Sequence, residues 1–179
     1  KLEPCGCPDP WAGKTNAHAA GCQHHLWRRY ASRWFRKVAA LRHAATLPGV
    51  EVVVWVDCDA VFKQPCSLAD VEAAMGGAAM FHLRGRRRIS ETGLMGFDLR
   101  CGGREFLEHL VQNYVTKAYR SDVRWDDSQQ TDRVVRERQD LRCVDLATEV
   151  GPRGDVVEQS ALGAWFTHAK GTLGRELDR

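Results

Sequence analysis

The sequence predicts an α/β layer fold, with a mostly parallel sheet flanked by helices. Three observations carry that expectation. A valine-dense run at residues 50–56 is of the kind buried at the centre of a parallel sheet. Apolar residues recur at helical spacing both before it (Trp34, Val38, Leu41, Ala45) and after it (Phe106, Leu110, Tyr114, Ala118). Strand-like and helix-like patterns alternate along the chain. Ligands in such folds sit at the carboxyl ends of strands, and the 50–56 run ends in Asp57-Cys58-Asp59.

Residues 1–25 show no apolar period and read as an irregular arm containing Cys5, Cys7, Cys22, His24 and His25. The remainder, residues 26–179, reads as one domain, since a chain of 179 residues supports a single core of ordinary size. From Leu26 an amphipathic helix begins, with Trp27 and Tyr30 extending its apolar stripe. Arg28, Arg29, Arg33, Arg36 and Lys37 fall mainly on its other faces, and Pro48-Gly49 ends it. After the valine strand, Ser67 can cap a helix running to about Met75, with Asp70 favourable in its first turn. Residues 78–83 form a second strand and residues 84–88 a basic loop. Residues 91–99 form a third strand, in which Gly93 and Gly96 point to a bend or a close approach to the backbone. A helix spans residues 104–119, another starts at Asp127 or Ser128 and reaches about Arg138, and residues 141–146 form a short strand.

Hydrophobic residues make up 44% of the chain and charged residues 27%, a globular balance that excludes a disordered chain. The net charge of +3 suits anionic substrates without singling out nucleic acid. The longest apolar run, residues 50–56, is interrupted by Glu51 and is too short to span a bilayer. No basic-then-apolar leader opens the sequence. Seven cysteines, an odd number at irregular spacing, point to free thiols in a reducing, cytoplasmic compartment.

Asp57 and Asp59 are the first chemical candidates. In an extended chain, residues i and i+2 point to the same side, so two carboxylates would face one spot and repel. A hard divalent cation, Mn²⁺ or Mg²⁺, removes the conflict and accepts phosphate oxygens as its remaining ligands. A bare Asp-x-Asp is ordinarily only a polar strand end. Here Ala60-Val61-Phe62 follows it, and acids amid so much apolar sequence need a reason.

The stretch WFRKVAALRHAATLPGVEVVVWVDCDAVF, residues 34–62, resembles the DxD region of nucleotide-sugar glycosyltransferases of the GT-A type, nearest in pattern to the galactosyl- and xylosyltransferase group. Glu91-Thr92-Gly93 is similar to the strand after the DxD that lines the sugar and acceptor site, and His168-Ala169-Lys170-Gly171 to a late His-x-x-Gly segment. The resemblance implies a GT-A-like (Rossmann-like) fold. It also implies transfer of a hexose or pentose from a nucleotide diphosphate-sugar, by default a UDP-sugar, with retention at the sugar carbon. Asp57, Asp59 and His168 would hold the metal, and Asp57 would also face the donor. Lys170 and Gly171 would lie at the phosphates. Trp125-Asp126-Asp127 resembles the acidic segment across the site, which makes Asp126 and Asp127 the catalytic candidates; the plainer reading is that Asp127 or Ser128 caps a helix. Family members usually bind the base with a strand and helix well before the DxD. Only 56 residues precede Asp57, so the N-terminal nucleotide-binding portion is expected to be reduced or missing.

Two basic or soft-ligand features stand apart from that resemblance. The loop with Arg84, Arg86, Arg87 and Arg88 either contacts an anion, with Arg86 and Arg88 as donor or acceptor contacts, or is solvated. Cys5, Cys7, Cys22 and His24 offer ligands for a structural Zn²⁺, at a spacing that matches no standard site. Together these two features define the alternative, a zinc-stabilised nucleic-acid-binding module. A hydrolase using the two aspartates with Mg²⁺ lacks a phosphate-cradling glycine loop. The acceptor stays open between a glycan and a nucleic acid, modified DNA included.

Overall fold

The computed structural model describes residues 31–122, 124–151 and 154–168. Helix α1 spans Ala31–Thr46, so the expected onset at Leu26 lies outside the described residues, as does the 1–25 arm. Strand β1 (Val52–Val56) and β2 (Ala60–Phe62) follow, then α2 (Leu68–Met75), β3 (Met80–Leu83), β4 (Glu91–Asp98) and α3 (Gly103–Val115). A 3-10 turn (Ala118–Ser121), α4 (Asp127–Glu137), β5 (Cys143–Asp145) and β6 (Phe166–His168) complete the order. None of the described helices is long and apolar enough to cross a membrane.

The protein is α/β, but its sheet is mixed rather than mostly parallel. The main sheet has the order β1-β4-β3-β5. The β1/β4 and β4/β3 pairs are antiparallel, and only β3/β5 is parallel. Connection length explains part of the difference: the short loop between β3 and β4 cannot hold the crossover that parallel neighbours require. The valine run is also not central. β1 lies at the edge of the sheet, and Val54 is 36% exposed while Val53 is buried. The interior strands are β3, buried throughout, and β4, buried from Thr92 to Asp98. The glycines of β4 allow its position: a Cβ on Gly96 would lie 2.3 Å from the Phe81 ring.

Alternation along β3 and β4 sends side chains to two cores. Met80, Met95 and Phe97 meet Val38 and Leu41 of α1 and Phe106, Leu107 and Leu110 of α3. Phe81, Leu83 and Leu94 face the other side, against Val71 and Met75 of α2 and the turns carrying Val156, Val157 and Leu162. α2 begins as expected: the Ser67 hydroxyl accepts from the Asp70 amide, and the Asp70 carboxylate accepts from the Ser67 amide, closing a capping box.

Past Val56 the chain leaves the main sheet. β2 pairs antiparallel with β6 as a separate two-stranded ribbon, with Ala60 opposite His168 and Phe62 opposite Phe166. Val61 and Phe62 are 42% and 56% exposed, so the acids do not sit amid buried apolar residues as their sequence context implied. Phe166, 2% exposed, anchors the ribbon in the second core and stacks on Phe62 at 4.6 Å between ring centres.

Candidate functional site

The end of β1 is tied to β4, because the Asp57 amide donates to the Gly93 carbonyl at 2.7 Å. The chain then turns at once: the Ala60 amide donates back to the Asp57 carbonyl at 3.0 Å. Asp57 and Asp59 therefore flank a turn and are not consecutive same-side residues of an extended strand. The turn sends the two carboxylates to different partners.

Asp57 joins a cluster built on Lys37. Its Oδ1 accepts from the Trp55 indole N–H and from Lys37 Nζ at 3.1 Å. Lys37 Nζ also reaches Asp127 Oδ2 at 2.7 Å and donates to the Thr92 carbonyl at 3.0 Å. Thr92 Oγ1 donates to the same Asp127 oxygen at 2.9 Å. Glu91 Oε1 accepts from the Gly93 amide at 3.2 Å. Gly93 is packed between acids: a Cβ there would lie 3.3 Å from both Asp57 Oδ2 and Glu91 Oε1. Asp57, Glu91, Thr92, Gly93 and Asp127 are thus brought together. Lys37, the residue that unites them, was read as belonging to a solvent face. It stands at helical steps from Trp34 and Leu41, within the buried stripe, and that spacing was its available signal.

The structure separates Asp126 from Asp127, although each is 2% exposed. Asp126 is the N-cap of α4. One of its oxygens accepts from the Gln129 amide at 2.9 Å and the other from Arg124 Nε at 2.6 Å. Its carboxylate is fully used by the cap and the arginine, so the acid facing the Lys37 cluster is Asp127. Beside both, burial first and then the Asp127 and Asp126 charges push the Tyr114 phenol far above its usual range. Tyr114 is a neutral donor, to the Trp125 carbonyl at 3.1 Å.

Asp59 meets His168 across the ribbon. His168 Nε2 lies 3.4 Å from Asp59 Oδ2; the imidazole is 3% exposed and the carboxylate 39%. Among the described residues no three carboxylate, imidazole or thiol groups converge as a ready-made metal cluster. Asp57 is engaged by Lys37 and Trp55, which leaves Asp59 and His168 as a two-residue donor set open to solvent on one side. One carboxylate and one imidazole could contribute to holding a divalent transition-metal cation that takes its other ligands from phosphate and water. Lys170, Gly171, Cys5, Cys7, Cys22 and His24 lie outside the described residues. Cys58, Cys66, Cys101 and Cys143 are free thiols.

The basic loop is partly structural. Asp145 accepts from the Arg84 and Gly85 amides, both at 2.9 Å. The Arg84 side chain folds onto the Arg87 and Arg88 carbonyls, and Arg87 reaches the Gly154 carbonyl at 2.5 Å. Arg86 and Arg88 are exposed, and no ion pair or side-chain hydrogen bond holds either guanidinium among the described residues. Under this loop lies a buried network that sequence reading missed. Asp132 accepts from the Ser90 hydroxyl at 2.5 Å and from its amide at 3.1 Å, and His82 Nδ1 lies 2.8 Å from Ser90 Oγ. It ties β3 and β4 to α4.

Comparison of the chain with models of known protein families, with curated proteins and with solved structures gave no match.

Proposed function

We propose that this chain is the catalytic part of a metal-dependent glycosyltransferase of the GT-A type. It would transfer a hexosyl or pentosyl group from a nucleotide diphosphate-sugar, by default a UDP-sugar, to an acceptor hydroxyl. The observation that carries this reading is the split made by the Asp57-Cys58-Asp59 turn. Asp59 is delivered to His168, and Asp57 is delivered to the cluster of Lys37, Thr92, Glu91 and Asp127.

The two halves suit the two ends of the donor. Asp59 and His168 would hold Mn²⁺ or Mg²⁺, which supplies Lewis-acid stabilisation of a departing diphosphate. In the Lys37 cluster, one lysine against the carboxylates of Asp57 and Asp127 leaves a net negative environment. Fixed negative charge there favours a sugar carbon that gains positive charge as its bond to phosphate breaks. Asp127 is held by Lys37 and Thr92 and is oriented before any substrate arrives. Trp55 lies beside the lysine, whose Nζ is 5.2 Å from the ring centre, and offers an apolar wall to a sugar face. Arg86 and Arg88, exposed on the turn leading into Glu91, support contact with an anionic group of donor or acceptor. Glycan and nucleic acid both stay within that acceptor class.

The test is thermal stabilisation by Mn²⁺ with a panel of nucleoside diphosphates, on wild type and Asp59→Ala. Metal-dependent stabilisation by one nucleotide, absent in the variant, is expected, because only a ligand of the folded state raises the midpoint. A wild-type midpoint indifferent to every pair of metal and nucleotide overturns the reading.

A further inference from the structure

The imidazole of His168 is nearly buried and lies between two carboxylates. Nε2 faces Asp59 Oδ2 at 3.4 Å, and Nδ1 faces Asp155 Oδ2 at 3.8 Å. Nothing in the proposed transfer uses Asp155. We propose that Asp155 is a positioning residue that orients His168 by accepting from its Nδ1–H, so that Nε2 presents its lone pair to a cation shared with Asp59. The proposal rests on the reading of Asp59 and His168 as metal ligands.

Two features of Asp155 support the assignment. Its Oδ1 accepts from the Val157 amide at 2.9 Å and the Glu158 amide at 3.0 Å, which pins the carboxylate to a turn. With one oxygen held there, the other is aimed at Nδ1. A cation on Nε2 displaces any proton that Asp59 draws there, and the ring's proton then sits on Nδ1, facing the Asp155 carboxylate. Carboxylates commonly set a metal-binding histidine in this way. The separation of 3.8 Å exceeds a direct hydrogen bond, and a small ring rotation or a bridging water closes it. On the metal side, neighbouring ligand atoms of a cation with bonds of about 2.1 Å lie about 3 Å apart. The 3.4 Å between Asp59 and His168 is close to that spacing without rearrangement of the ribbon.

The decisive variant is Asp155→Asn. Asparagine keeps the oxygen that caps the Val157 and Glu158 amides but turns an N–H₂ toward Nδ1, so the cap survives and the orienting acceptor is lost. Mn²⁺ affinity of the full chain is measured by titration of free Mn²⁺, and the hydrogen bond at His168 Nδ1 by nitrogen chemical shifts with diamagnetic Mg²⁺ bound. Expected are an Nδ1–H shifted by its carboxylate acceptor in the wild type, loss of that shift in Asp155→Asn, and Mn²⁺ binding weakened roughly 10- to 100-fold. Glu158→Gln removes the same charge from the same turn and is expected to leave both readouts near wild type. Wild-type affinity in Asp155→Asn, with binding lost in His168→Gln, overturns the role of Asp155 and leaves the metal site standing. Unchanged binding in both variants overturns the metal site and this proposal with it. If Asp155→Asn fails to fold, the wild-type Nδ1 signal with Mg²⁺ decides, and an Nδ1–H without a carboxylate acceptor overturns the proposal.

Discussion

Replacing Lys37 with methionine tests the cluster that Lys37 unites. Methionine keeps much of the volume and apolar length of the lysine and deletes its charge. The lysine side chain is 10% exposed and that of Asp127 only 3%, so the variant leaves the Asp127 carboxylate dry and without its cation. Removing one partner of a buried ion pair costs about 3–5 kcal/mol. Asp57, 36% exposed and still bonded to the Trp55 indole, adds less than about 1 kcal/mol, as for other solvated pairs. The Thr92 hydroxyl continues to satisfy part of Asp127, which puts the expected loss at the low end, about 3 kcal/mol. Urea unfolding of wild type, Lys37→Met, Asp127→Asn and the double variant measures it. Since the penalty is an orphaned charge, the double variant should recover at least about 1.5 kcal/mol relative to additivity. A single-variant loss below about 1 kcal/mol, or strict additivity, refutes the burial reasoning and returns Lys37 to a solvated face.

The two acids of α4 are expected to differ. Asp126→Ala costs about 0.5–2 kcal/mol as a lost cap and keeps measurable transfer, whereas Asp127→Asn folds and loses transfer roughly 100-fold or more; equal activity losses contradict the separation. Gly96→Ala should destabilise by about 1–3 kcal/mol, because its methyl would meet the Phe81 ring, and a smaller residue at position 81 should restore part of the loss in thermal melts. Burial pushes the His82 imidazole below its ordinary range, with Arg84 adding to the effect and Asp145 and Asp132 opposing it. The unfolded chain takes up that proton near pH ~6.5 and the folded chain only at lower pH, so His82 contributes a stability that is present above that pH and lost below it. His82→Gln should flatten the fall in urea midpoint between about pH 7 and pH 5, and an unchanged slope removes His82 as its source.

Local chemistry was legible in the sequence, and long-range pairing was not. Ser67 and Asp70 announce the start of α2 because both partners of the capping box lie within one turn. The start of α4 at Asp127 was one of the two positions the sequence offered, while its cap fell on Asp126, since Asp126, Asp127 and Ser128 can all cap and only tertiary contacts decide among them. The centrality of β4 was hidden because its glycines and Thr92 lower its apparent hydrophobicity, while β1 displays a buried-looking run of valines at a sheet edge. The acids of the turn were found, but an extended-chain assumption joined what the turn divides. Lys37 was recognisable in principle from its place in the apolar stripe. His82, Ser90 and Asp132 were not, because three ordinary polar residues far apart in the chain become informative only when folding buries them together.

The ribbon of β2 and β6 matches three residues on each side and forms its own sheet, and ribbons of that size are marginal alone. Asp59 sits at the entry of one strand and His168 at the exit of the other, so a shared cation would act as a clasp on the pair. Metal occupancy and strand closure would then be two readings of one equilibrium, each raising the other. Chelation would loosen that corner while the main sheet held, and a protease cutting within the ribbon would report how much metal the protein carries.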